Sequence, residues 1–164
     1  MINILNILNI LKLIYKMGNI MGNILTIDKK HSVYRINYED VQYGIELKNI
    51  ILINTLDSTK QSCLIKNTIF IEKEESIINK LIVQNTERTI IIYGENSQDT
   101  RPYEKYKQLM NLGFTNVHVY CGGLFEWLLL QDIYGCELFK TNSFEKDHLQ
   151  YKGDSRIANN MIKC

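Results

Sequence analysis

Three short runs of branched apolar residues govern what this chain can become: NIILIN at 49–54, TIIIY at 89–93 and NVHVY at 116–120. Each is too short for a buried helix, and all three are β-branched and apolar enough to lie in the centre of a parallel sheet, His118 alternating with Val117 and Val119 on one face of the last. The segments between them are about one helix long and amphipathic. Parallel strands require such crossovers, so the alternation predicts an α/β fold with an open, mostly parallel central sheet flanked by helices. Further strands are expected at 32–36 and 68–71.

Helix signals fill the intervals. Asn37 with Asp40 three residues on forms a cap for a short helix through Gln42, and 74–84 places Ile77, Ile78, Leu81 and Ile82 on one face. A third helix starts near Thr100, accommodates Pro102 in its first turn and stops at Gly113, with Tyr103, Tyr106, Leu109 and Met110 as its buried stripe. A fourth, 124–134, is apolar nearly all round and ends at Gly135.

The ends read differently. Residues 1–15 are Asn-Ile-Leu triplets in which Asn3, Asn6, Asn9 and Lys12 recur at every third position, so neither a membrane span nor a secretory signal is expected. The chain thus divides into a low-complexity leader (1–24), an α/β domain (25–139) and a polar tail (140–164) expected to be loose. With 19 basic against 18 acidic residues, the net charge of +1 gives no field to gather nucleic acid or an anionic membrane. Cys63, Cys121, Cys136 and Cys164 form no paired motif, which suits reduced thiols and an intracellular, cytoplasmic setting. His31, His118 and His148 are scattered without zinc spacing, so no metal and no cofactor is expected.

Open α/β sheets bind ligands beyond the carboxyl ends of their strands. The loop after TIIIY, Gly94-Glu95-Asn96-Ser97-Gln98-Asp99, followed by Arg101, is therefore the expected site.

From Thr89 to Trp127 the chain resembles the rhodanese-like family: IIIY (90–93), a tight loop, a helix, LGFTNV (112–117), then CGGLFEW (121–127). ILIN (51–54) is similar to the family's aspartate-ended strand, and CLIKNT (63–68) stands where members carry a Gly-His-Ile run. The resemblance implies a rhodanese-like α/β fold. It also implies that the first loop position is the nucleophile's, where active members hold a cysteine whose thiolate accepts and passes on sulfane sulfur. Here that position is Gly94, which has no nucleophile. Glu95 and Asp99 add negative charge that works against a thiolate, with Arg101 offsetting one of them. A Cys-x5-Arg phosphatase motif is absent, since Arg101 is also out of register.

Two functions follow. The first is a rhodanese-like binding or regulatory module without sulfurtransferase activity, presenting residues 94–99 and Arg101 to a protein or small cationic partner. The second is a sulfurtransferase that uses a displaced thiol, with Cys63 as the surrogate. Cys121 is read as core packing, and Gly122 and Gly123 as a strand-to-helix turn whose amides are also available to an anion.

Overall fold

A computed structural model describes residues 33–47 and 50–157. The leader and the terminal cysteine lie outside the described residues. The elements run β1 (Arg35–Ile36), α1 (Tyr38–Glu46), β2 (Ile50–Asn54), a 3-10 turn (Ser58–Lys60), α2 (Ile71–Gln84), β3 (Thr89–Tyr93), α3 (Arg101–Asn111), β4 (Val117–Tyr120), α4 (Gly123–Tyr134) and a second 3-10 turn (His148–Tyr151).

The four strands form one all-parallel sheet in the order β1-β4-β3-β2. Successive residues of β3 point to opposite faces. Ile91 and Tyr93 join a core with Val41 and Ile45 of α1 and with Trp127 and Leu128 of α4. Ile90 and Ile92 join the opposite core with Ile78 and Leu81 of α2 and with Tyr106 and Leu109 of α3. Both faces of the central strand are covered, which is why its sequence is apolar without alternation.

The Asn37 cap is a reciprocal box: the Asp40 amide donates to Asn37 Oδ1 at 3.2 Å, and the Asn37 amide donates to Asp40 Oδ2 at 3.2 Å. The helix it starts continues past Gln42 to Glu46, because Val41 and Ile45 are both buried on the sheet.

Two expectations need correction. Residues 68–71 are not a strand: Thr68 makes a single bridge to Leu52, the Ile69 amide donates to Leu52 O at 2.9 Å, and Ile71 already begins α2. Nor is the segment after α4 loose. It doubles back over the α1/α4 face, where the Trp127 indole donates to Lys140 O at 3.3 Å and Phe139 stacks edge-on against Trp127 at 5.0 Å. The Asn142 amide donates to Leu64 O at 3.0 Å, Lys66 N donates to Lys140 O at 2.9 Å, and Tyr151 is fully buried. A polar composition hides Phe139 and Tyr151, the two aromatic anchors that hold this segment down.

Candidate functional site

The parallel register sets the site. Tyr93 pairs with Tyr120, so Gly94 and Cys121 leave the sheet side by side at the carboxyl edge of β3 and β4. Immediately beyond, α4 begins. The Leu124 amide donates to Gly94 O at 2.9 Å and the Phe125 amide donates to Glu95 O at 2.8 Å, so these first-turn amides face loop carbonyls. Gly123 makes that approach possible. Its φ is +66°, and a Cβ there would lie 2.7 Å from Gly94 O, Glu95 C and Asn96 N. Gly123 therefore serves close packing of helix on loop, and the amides of Leu124 and Phe125 that follow it are taken.

Inside the loop, Asp99 turns back beneath its own chain. Its Oδ2 accepts from the Glu95 amide at 3.0 Å and from Arg101 Nη2 at 2.9 Å. Its Oδ1 accepts from the Arg101 amide at 3.0 Å and from Arg101 Nε at 2.9 Å. Burial alone raises the Asp99 pKa, but the guanidinium and the two amides outweigh it, so the carboxyl is held below its usual range. This carboxylate occupies the space into which a side chain on residue 94 would project: a Cβ on Gly94 would collide with Asp99 and lie 2.8 Å from Pro102 Cγ.

Glu95 is also turned inward, its side chain 11% exposed. One oxygen accepts from Arg101 Nη2 at 2.8 Å and the other from Lys60 Nζ at 2.6 Å. Arg101 Nη1 reaches Asp57 at 3.1 Å, and Lys60 also donates to Gln150 O at 3.1 Å. Arg101 thus serves three carboxylates rather than the one expected, and its own pKa is driven up, first by the bond to Asp99. Asp57 and Lys60 were not found from sequence. They lie on a different crossover, with Lys60 separated from Glu95 by 35 residues, and no local pattern links them.

Asn96 accepts from the Gln98 amide at 2.9 Å and donates through Nδ2 to Tyr151 O at 2.8 Å. Ser97 and Gln98 are exposed. Asn96 and Gln98 face Lys152, Gly153, Asp154 and Arg156 across a polar depression of about 220 Å³.

Cys63 is buried, its Sγ 3.4 Å from Ser143 O, and burial pushes its pKa up. Cys121 is half-buried, with Sγ 3.4 Å from the Tyr103 hydroxyl, and Cys136 is exposed. Among the described residues no group of three or more His, Cys, Asp or Glu could hold a metal ion, and no helix is long and apolar enough to cross a membrane.

The chain belongs to the rhodanese-like family: residues 39–130, more than half of its length, match the rhodanese-like domain. Among solved structures it is similar to the Alr3790 protein from Anabaena sp., with 20% identity, a TM-score of 0.49, and coverage of 70% of this chain and 97% of that one. It is also similar to the Rhodanese_3-like domain of the Anabaena sp. Alr3790 protein, with 21% identity, a TM-score of 0.39, and coverage of 57% and 99% respectively. No curated protein sequence matches it.

Proposed function

We propose that this rhodanese-like domain is a binding or regulatory module without sulfurtransferase activity. One observation carries the reading. The loop position at which active members of the family resemble one another in holding a nucleophile is Gly94, and the volume beside it is filled by a carboxylate fixed by four hydrogen bonds. A thiol cannot be placed there without dislodging Asp99 from Arg101. The displaced-thiol alternative requires Cys63 to ionise, and a buried thiol with a raised pKa opposes that.

The partner surface at the loop differs from a bare acidic patch. Glu95 and Asp99 already hold Lys60 and Arg101, so the contact chemistry falls to Asn96, Ser97 and Gln98 and the polar depression beside them. That composition suits hydrogen-bonding groups of a protein or small molecule better than a cation. The reading invokes no cofactor and no nucleic acid, and the free thiols Cys63, Cys121 and Cys136 accord with an intracellular, cytoplasmic setting.

Thiosulfate-to-cyanide sulfur transfer, with mass spectrometry for a persulfide, tests the proposal. The expected result is no turnover above buffer for the wild type, and none for Gly94→Cys alone. Turnover that disappears in Cys63→Ser or Cys121→Ser overturns it. So does activity gained by Gly94→Cys, because the loop would then be a competent cradle.

A further inference from the structure

The segment that returns over α4 is held firmly at two places, and the stretch 144–149 bows out between them. On one side the Ser143 hydroxyl donates to Ser62 O at 2.6 Å; on the other, Tyr151 is fully buried and Lys60 donates to Gln150 O at 3.1 Å. Within the bow Phe144, Lys146, Asp147 and Leu149 are exposed, and the hydrogen bonds of Glu145 and Asp147 stay inside the turn. Among the described residues, His148 is the one side chain of 144–149 that forms an ion pair with another element. Its side chain is 10% exposed and meets Asp132 in the last turn of α4.

Both ring nitrogens face acceptors. Nδ1 lies 3.1 Å from Asp132 Oδ2, and Nε2 lies 2.7 Å from Glu145 O. A carboxylate and a carbonyl only accept, whereas a neutral imidazole has one N–H and one lone pair, so the imidazolium alone satisfies both contacts. The surroundings favour that charge. The Glu145 carboxyl is held below its usual range, first by the Asp147 amide and also by His148. The last turn of α4, where the helix dipole favours a cation, has no basic residue of its own. Asp147 precedes the ring in sequence, and Lys60 meets the turn two residues further on, with its charge engaged by Glu95.

We propose that His148 is a proton-operated pin: as imidazolium it ties the 144–149 turn to α4, and loss of its proton releases the turn from Asp132. Glu145 O is a backbone acceptor, whereas Asp132 is exposed and free to turn to water, so the neutral ring keeps its proton on Nε2. The pin therefore holds at low pH and is lost as pH rises through the imidazole range. The turn runs directly into Gln150 and Tyr151, whose carbonyls accept from Lys60 and Asn96, so the pin sits one step from the polar depression beside the loop. It stands whether or not the loop binds a partner.

Hydrogen exchange of the full chain followed by NMR, corrected for intrinsic exchange, reads the Asp147, Gln150 and Lys152 amides that the turn's own bonds protect. Their protection is expected to fall about threefold between about pH 5.5 and about pH 8.5, the modest size of an ion pair whose carboxylate is exposed. Asp132→Asn supplies an amide that donates to the lone pair of the neutral Nδ1, so in that variant the pH dependence is expected to vanish. His148→Ala is expected to show the low protection at both pH values. Nitrogen-15 spectra of the wild-type imidazole are expected to show the Nε2–H tautomer at the higher pH. A change under about twofold in the wild type, the same pH dependence in Asp132→Asn, full protection in His148→Ala, or a neutral ring protonated on Nδ1 overturns the proposal. An unchanged circular dichroism melt verifies that each variant is folded.

Discussion

The 94–101 loop and a groove of about 760 Å³ between α2 and α3 are neighbours that share Arg101, yet they treat their carboxylates in opposite ways. In the loop, Asp99 and Glu95 point inward and every carboxylate oxygen has a cation or amide donor. Around the groove, Glu75 and Glu104 point outward over apolar surface with no ion pair among the described residues. Identical side-chain chemistry is architecture in one place and available surface in the other. An acidic residue in a loop at the carboxyl edge of a sheet is therefore poor evidence for a ligand until its internal partners are known.

If that contrast is right, substitutions in and under the loop cost stability, and those on the groove lips do not. The largest effect is expected for Gly123→Ala. It places a side chain at φ +66° within 2.7 Å of loop backbone atoms, combining left-handed strain with overpacking for a loss of about 3 kcal/mol in urea unfolding. A loss under about 1 kcal/mol would show that the loop can move off α4.

Arg101→Ala comes next, at about 2 kcal/mol. Removing one member of a buried ion pair costs about 3–5 kcal/mol, reduced here because the guanidinium is 35% exposed and Lys60 still serves Glu95. The pH dependence follows from the depressed Asp99 pKa. A carboxyl ionised more readily in the folded than in the unfolded chain contributes stability above the ordinary value of about 4, and loses it as pH falls through the lowered one. The gap between wild type and Arg101→Ala is thus expected to narrow below about pH 4 in acid titrations followed by fluorescence. Smallest is Glu75→Lys/Glu104→Lys, within about 0.5 kcal/mol of wild type in the same unfolding experiment. A larger loss would mean that the lips are also architectural.

Much of the fold was legible in the sequence because its signals are local. The expected run at 89–93 coincides with β3, and that at 49–54 with β2 to within one residue, since branched apolar runs bounded by polar residues have few alternatives. The Asn37 cap and the Gly135 stop, with its φ of +94°, were likewise readable. The stretch 68–71 misled because Thr68, Ile69 and Ile71 have strand propensity, while tertiary context gives Ile71 to a helix. At the candidate site, the loop's position after β3 was legible, but the state of its charges was not. Lys60 and Asp57 reach it through the fold, and Gln150 and Tyr151 arrive from a segment whose composition reads as solvent-loving.

That returning segment alters where the molecule can be cut. The family match ends at Leu130, inside α4. A piece ending there would lose Phe139 from the face of Trp127, the carbonyl that the Trp127 indole meets, and the Tyr151 carbonyl that anchors Asn96. Likeness draws the domain's edge at Leu130, whereas burial draws it no earlier than Tyr151. An expressible fragment has to respect the second edge.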